Sequence, residues 1–312
     1  MAVMRQSRGK AALFERIKQQ KLLLIMLVPA VVSVGIFVYG PMWGMLIAFF
    51  NYNPGLGIMG SEFVGLRYFR EFLSSPDLPL IIRNTFAISL LNIIFGTVFP
   101  VLFAVLLNEV SWVGLKKVTQ TISYLPHFIS YVVVANIATM VLSPDGGIVN
   151  ELLVNLGIVD KPIFFLAIPQ AFWWIVAGLN VWKEMGWSAI IYIASIANID
   201  PQLYEAAMVD GAGRLRRIWH ITLPGIIPTM VVLTILAVPD LLNAGFDPSY
   251  LLGNALVSDY SRVLDTHVYT IGIQQGRYSL STAIGVMRMI VSLVLILSAN
   301  AVARRVSEYS LF

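Results

Sequence analysis

The segment LLLIMLVPAVVSVGIFVYGPMWGMLIAFF, Leu22 to Phe50, contains no charged side chain. A helix needs about 20 largely apolar residues to cross roughly 30 Å of hydrocarbon. This run exceeds that length, and a basic tail with Arg5, Arg8, Lys10, Arg16, Lys18 and Lys21 precedes it. It is too long for the apolar core of a signal peptide. Phe49-Phe50-Asn51-Tyr52 follows it rather than a small-residue cleavage site, so it reads as an uncleaved anchor. The rest of the chain agrees. Of 312 residues, 58% are apolar and only 12% charged, against about 25% charged in an average soluble domain. A soluble chain could not cover so much apolar surface, and the same balance excludes disorder.

Five further spans are expected from low charge density: Asn84 to Asn108, Ile122 to Leu142, Ala171 to Ala197, Gly225 to Gly245 and Thr282 to Ala303. The last three contain Lys183 and Glu184, Asp240, and Arg288 respectively. The expected fold class is an all-α membrane protein with six transmembrane helices. Basic residues mark the cytoplasmic side. The N-terminal tail, Lys116 and Lys117, Arg214, Arg216 and Arg217, and Arg304 and Arg305 fall on one side. Arg67, Arg70, Arg83, Lys161, Arg262 and Arg277 fall on the other, less basic side. Both termini are therefore expected in the cytoplasm. This asymmetry also accounts for the net charge of +4 without a nucleic-acid partner. Cysteine is absent, which excludes thiol chemistry and disulfides. The three histidines, His127, His220 and His267, are too dispersed in sequence to suggest a metal centre.

The connection between spans four and five reads IDPQLYEAAMVDGAGRLRRIWHITLP, Ile199 to Pro224. Asp200 suits an N-cap and Pro201 a first helical position, with Ile199 and Tyr204 at the positions of a hydrophobic staple. Gly211 suits the left-handed residue after a helix end. A second short helix is expected from Arg214 to Thr222, with Pro224 separating it from span five. Leu203, Ala206, Ala207 and Asp210 form a stripe narrow enough for close approach by a partner, with Glu205 beside it.

This loop resembles the coupling loop of permease subunits in type I binding-protein-dependent ATP-binding-cassette (ABC) importers. The family pattern is E-A-A, two residues, D-G-A, then I-x-x-I-x-L-P. Glu205, Ala206, Ala207, Asp210, Gly211, Ala212, Ile221, Leu223 and Pro224 match it, and Ile218 takes a bulky apolar position. The stretch from Gly186-Trp187 to Pro224, with Asn243-Ala244-Gly245-Phe246 and Leu264-Asp265-Thr266, resembles the carbohydrate-uptake branch and its polysaccharide and oligosaccharide subgroup. The sequence departs from that subgroup at Val238-Pro239-Asp240.

The resemblance implies a basic tail over residues 1–21, an importer transmembrane domain over 22–303 with its coupling loop at 199–224, and a cytoplasmic tail over 304–312. It implies a non-catalytic subunit in a bacterial cytoplasmic membrane. Its partners would be a second homologous permease, a dimer of ATP-binding subunits and an extracytoplasmic sugar-binding protein. ATP and Mg would be bound by the ATPase, and this chain has no G-x-x-x-x-G-K-[ST] loop. Tyr204, Glu205, Ala206, Ala207, Asp210, Gly211, Ala212, Leu223 and Pro224 would form the coupling dock. A self-contained secondary transporter or a membrane sensor of sugar availability are the alternatives.

Charges within spans are functional candidates because burying them is costly. Asn180, Lys183, Glu184 and Trp187 share one helical face, and Trp182 lies nearby. Lys183 is about 18 Å along its span, near mid-membrane. Adjacent on a helix, Lys183 and Glu184 are not expected to pair. Aromatic faces beside hydrogen-bonding groups suit a sugar ring, and tryptophan also serves as an interfacial anchor. Asp240 and Arg288 lie about 8 Å and 9 Å from the outer ends of their spans, a matching depth that permits a salt bridge. With Asn243 they complete the candidate pathway residues.

Overall fold

A computed structural model describes residues 20–306. The chain is mostly helical, and its one sheet among the described residues is a two-residue antiparallel pair, Phe50–Asn51 with Glu62–Phe63. The principal helices are α1 (Lys21–Phe49), α2 (Leu78–Asn108), α3 (Val113–Phe128), α4 (Tyr131–Val141), α5 (Phe172–Ala197), α6 (Pro201–Val209), α7 (Arg214–Leu242), α8 (Phe246–Leu252), α9 (Leu264–Tyr269) and α10 (Tyr278–Val306). Arg5, Arg8, Lys10, Arg16 and Lys18 of the basic tail lie outside the described residues, as do residues 307–312 of the expected C-terminal tail.

Among the described residues, four helices are long and apolar enough to cross a membrane: α1, α2, α7 and the Tyr278–Val302 part of α10. A fifth arises if α3 and α4 are counted as one broken span. Helix α5 has 26 residues, but Asn180, Lys183 and Glu184 lower its apolarity. Three expected boundaries change. Span two starts earlier, at Leu78 rather than Asn84. Span three is not one rod. It bends by 104° between Phe128 and Tyr131, where Leu125-Pro126 tightens the chain into a 3₁₀ turn that Pro126 cannot extend as α-helix. Pro224 does not separate the coupling segment from span five. A π turn at Ile218–Thr222 admits the proline ring, and the helix continues to Leu242.

Helices α2 and α5 form the most extensive packing pair and hold the other elements around them. One core joins Ile88, Ala135, Phe172, Val176, Ala244, Leu252 and Val263. A second, toward the coupling loop, joins Val101, Ala104, Val105, Ala189, Tyr192, Ile196 and Ile226. A third joins Phe72, Ile81, Leu264, Ile271 and Ile284 where α10 meets the segment Arg67–Leu73. Helix α1 buries nothing before Ala48; its last turn packs on α10.

Polar side chains of the helices hold the non-helical segments. Asn84, fully buried, donates to the carbonyls of Asp259 (3.1 Å) and Arg262 (2.9 Å), and Thr85 Oγ1 accepts from Leu264 N–H at 2.9 Å. Asn150, on the short helix Ile148–Asn155, donates to Ser143 and Ile163 carbonyls and accepts from Ile163 N–H.

In lipid, helix association relies on close packing at small residues. Gly186 of α5 is such a contact: a Cβ there would overlap the Ser123 main chain on α3. Gly186→Ala is expected to destabilise the protein by about 1–3 kcal/mol, read as a lowered melting temperature in detergent. An unchanged melting temperature would show that α3 moves freely against α5.

Candidate functional site

The coupling loop is built as its local chemistry dictates. Asp200 accepts a hydrogen bond from Gln202 N–H at 2.9 Å and caps α6. At the other end Gly211 has φ +75°. Its N–H donates to Met208 O at 3.1 Å, and Ala212 N–H donates to Ala207 O at 2.8 Å. That pair of bonds is a Schellman motif, which needs a left-handed residue at Gly211. Helix α6 buries no residue. Leu203, Met208 and Val209 point outward, and Val209 is 89% exposed. Glu205, Ala206 and Asp210 are also exposed, while Tyr204, Ala207, Ala212 and Leu223 are half-buried. Tyr204 Oη lies 3.0 Å from Thr222 Oγ1, which links α6 to the start of α7. Pro224 is exposed. The loop thus carries a small-residue surface, with Glu205 and Asp210 beside it, that no other described residue buries.

A cavity of about 770 Å³ opens between α2, α4, α5, the end of α7 and α8. That volume lies in the range of about 300–1,000 Å³ for small-molecule sites. Of the residues expected on the pathway, Asn180, Trp187, Asp240 and Asn243 line it. Asn180 accepts from Tyr131 Oη at 2.7 Å and donates to Asn92 Oδ1 at 2.9 Å. Asn243 N–H donates to Asp240 O at 2.8 Å, which fixes the turn that ends α7. Trp187 stacks on His127 at 4.4 Å with rings nearly parallel. Tyr131, Phe246 and Asp247 also line the cavity and were not among the residues expected on the pathway. Tyr131 is carried there by the break at Phe128–Tyr131, whose signal was Leu125-Pro126.

The other candidates go elsewhere. Lys183 is 5% exposed. Its Nζ donates to His127 O at 2.5 Å and lies 3.1 Å from Glu184 Oε1. The expectation that the neighbours Lys183 and Glu184 do not pair is therefore wrong. Both long side chains bend toward the α3 break, where Glu184 Oε2 also meets His127 Nδ1 at 2.6 Å. Trp182 lies on another face, in an apolar groove with Trp174, and is 45% exposed.

Arg288 does not meet Asp240. Its partner is Asp265 on α9, because α9 folds back against α10 and offers a nearer carboxylate. Burial pushes the Asp265 carboxyl above its ordinary value, and Arg288 pulls it partly back. The pair offsets part of its own desolvation and fixes α9 against α10. The double variant Asp265→Arg/Arg288→Asp is expected to recover the expression and melting temperature that Arg288→Asp loses, whereas Asp240→Arg/Arg288→Asp is expected to recover neither. Rescue by the Asp240 exchange instead would overturn the assignment.

The chain matches, over residues 96–308, the family described as binding-protein-dependent transport system inner membrane component. It is 43% identical over 311 residues to the polygalacturonan/rhamnogalacturonan transport system permease protein YteP of Bacillus subtilis (strain 168), covering 100% of this chain and 96% of that one. It is 41% identical over 296 residues to protein LplB of the same organism, covering 95% and 92%. A crystal structure of a bacterial ABC transporter involved in import of the acidic polysaccharide alginate aligns with TM-score 0.86 and 38% identity, over 95% of this chain and 100% of that one. A second, with an alginate pentasaccharide-bound periplasmic protein, aligns equally well over 96% and 99%.

Proposed function

This chain belongs to the family of binding-protein-dependent transport system inner membrane components, and from that membership we propose how it conducts sugar. It is a multi-pass permease subunit of an ABC importer for oligosaccharides or polysaccharide fragments. In our reading six spans cross the bacterial cytoplasmic membrane, α5 and the broken α3–α4 pair included, with both termini in the cytoplasm. Residues 22–303 form the transmembrane domain between two tails, and each of two homologous permeases supplies half of the pathway. A sugar-binding protein delivers substrate to the outer face. ATP and Mg sit in a dimer of partner subunits, and this chain carries out no chemistry itself.

The observation that carries this reading is the exposed α6 with its Schellman end, joined without a break to α7. Tyr204 to Ala212 form the part that enters a cleft on the ATPase, Glu205 contributes charge, and Ala206 and Ala207 allow close fit. Leu223 and Pro224 continue the segment into α7. ATP-driven closure of the partner then shifts the permease pair between inward- and outward-facing states, to the extent that ATP binds one state better. The continuity of α7 supports this reading over a self-contained transporter or a sensor, because it joins the loop mechanically to the cavity.

Glu205→Lys and Gly211→Val are expected to lower ATP-dependent sugar uptake by the reconstituted complex to background. Membrane insertion is expected to survive. A Cβ at the left-handed Gly211 costs about 1–2 kcal/mol and displaces the dock. Normal uptake by either variant would remove the coupling assignment.

A further inference from the structure

The charge on the cavity wall restricts what can pass. Two charged residues line it, Asp240 and Asp247, and both are carboxylates. Among the described residues, no lysine or arginine lines it. The nearest buried cation, Lys183, is held by His127 O and Glu184. Arg288 is held by Asp265. Turning toward the cavity would strip the His127 carbonyl of its Lys183 donor or the largely buried Asp265 of its Arg288 partner, which is costly.

The rest of the wall suits uncharged, hydroxyl-bearing rings. Trp187 and Phe246 offer aromatic surface, and Asn92, Asn180 and Asn243 offer amides. Ser89 is 1% exposed, with an Oγ that has no hydrogen-bond partner among the described residues, and it belongs to the same wall. Carboxylates accept hydrogen bonds from sugar hydroxyls and repel other carboxylates, strongly so where water is scarce. We infer that this subunit's half of the pathway favours neutral oligosaccharides and disfavours uronates, in contrast to the polygalacturonan system of its 43% identical relative and the alginate system of its structural neighbour. The inference rests on the sugar-import reading above and narrows its substrate class.

The test uses the full complex with its binding protein and ATPase, reconstituted in vesicles. An equimolar mixture of neutral and uronate oligosaccharides of matched length is offered with ATP or with a non-hydrolysable analogue. Mass spectrometry of the vesicle contents gives the neutral-to-uronate ratio, which is divided by the ratio captured by the isolated binding protein. The quotient is expected to favour neutral sugars by about tenfold or more, since like-charge juxtaposition costs several kcal/mol. Asp240→Asn with Asp247→Asn is expected to bring the quotient close to one, while Asp240→Glu with Asp247→Glu retains it. A quotient that favours uronates, or one that the Asn variants leave unchanged, overturns the inference and leaves the importer reading intact. ATP-dependent uptake of neither class overturns the importer reading, and this inference with it.

Discussion

Backbone that leaves a helix inside an apolar bundle must find hydrogen-bond partners, because lipid offers none. This constraint explains several of the buried polar residues. Lys183 caps the carbonyl of His127 at the break between α3 and α4. Asn84 and Thr85 serve the segment before α9, Asn150 serves residues 143–163, Trp173 donates to Tyr260 O and Asn254 donates to Leu166 O. Regular helices α2 and α5 thus act as a scaffold whose side chains hold irregular backbone in place. The cavity forms where that irregular backbone gathers.

Two ion pairs extend the same logic. Glu184 and Lys183 fix the break in span three, and Arg288 with Asp265 fixes α9. Such pairs add little net stability, and one oxygen of Asp265 stays without a hydrogen-bond partner among the described residues, so their contribution here is to position the segments they join. Asp240 and Asp247 differ in having no cation beside them in the cavity wall. The intramembrane charges therefore divide into those that hold structure and those that face the ligand space, a division that their cost of burial alone does not reveal.

The parts legible in the sequence were those written locally. Uncharged runs announced α1 and α2, Asp200 and Pro201 announced the start of α6, and Gly211 announced its end. Asn180, Trp187, Asp240 and Asn243 reach the cavity together. The misreadings concern partners distant in sequence. Depth along a span suggested Asp240 for Arg288, since span-by-span reckoning cannot show that α9 folds back to offer Asp265. Helical spacing separated Lys183 from Glu184, since it cannot show that His127 draws both heads to one place. Pro126 breaks its helix and Pro224 does not. Only the second has a π turn ahead of it, and such a turn depends on packing that no local pattern encodes.

Helix α7 has 29 residues, about 43 Å at 1.5 Å per residue. Arg214 stands at one end beside the α6 dock, and Asp240 stands near the other beside the cavity. In the proposed coupling such a helix acts as a push-rod that passes a shift at the Arg214 end along its axis toward Asp240. The wider π turn at Ile218–Thr222 lies within the first third of that length and departs from α geometry, where it can absorb a change in entry angle. In the proposed cycle α7 thus changes pitch at both ends, with the π turn beside α6 and the 3₁₀ turn of Val238–Leu242 beside the cavity.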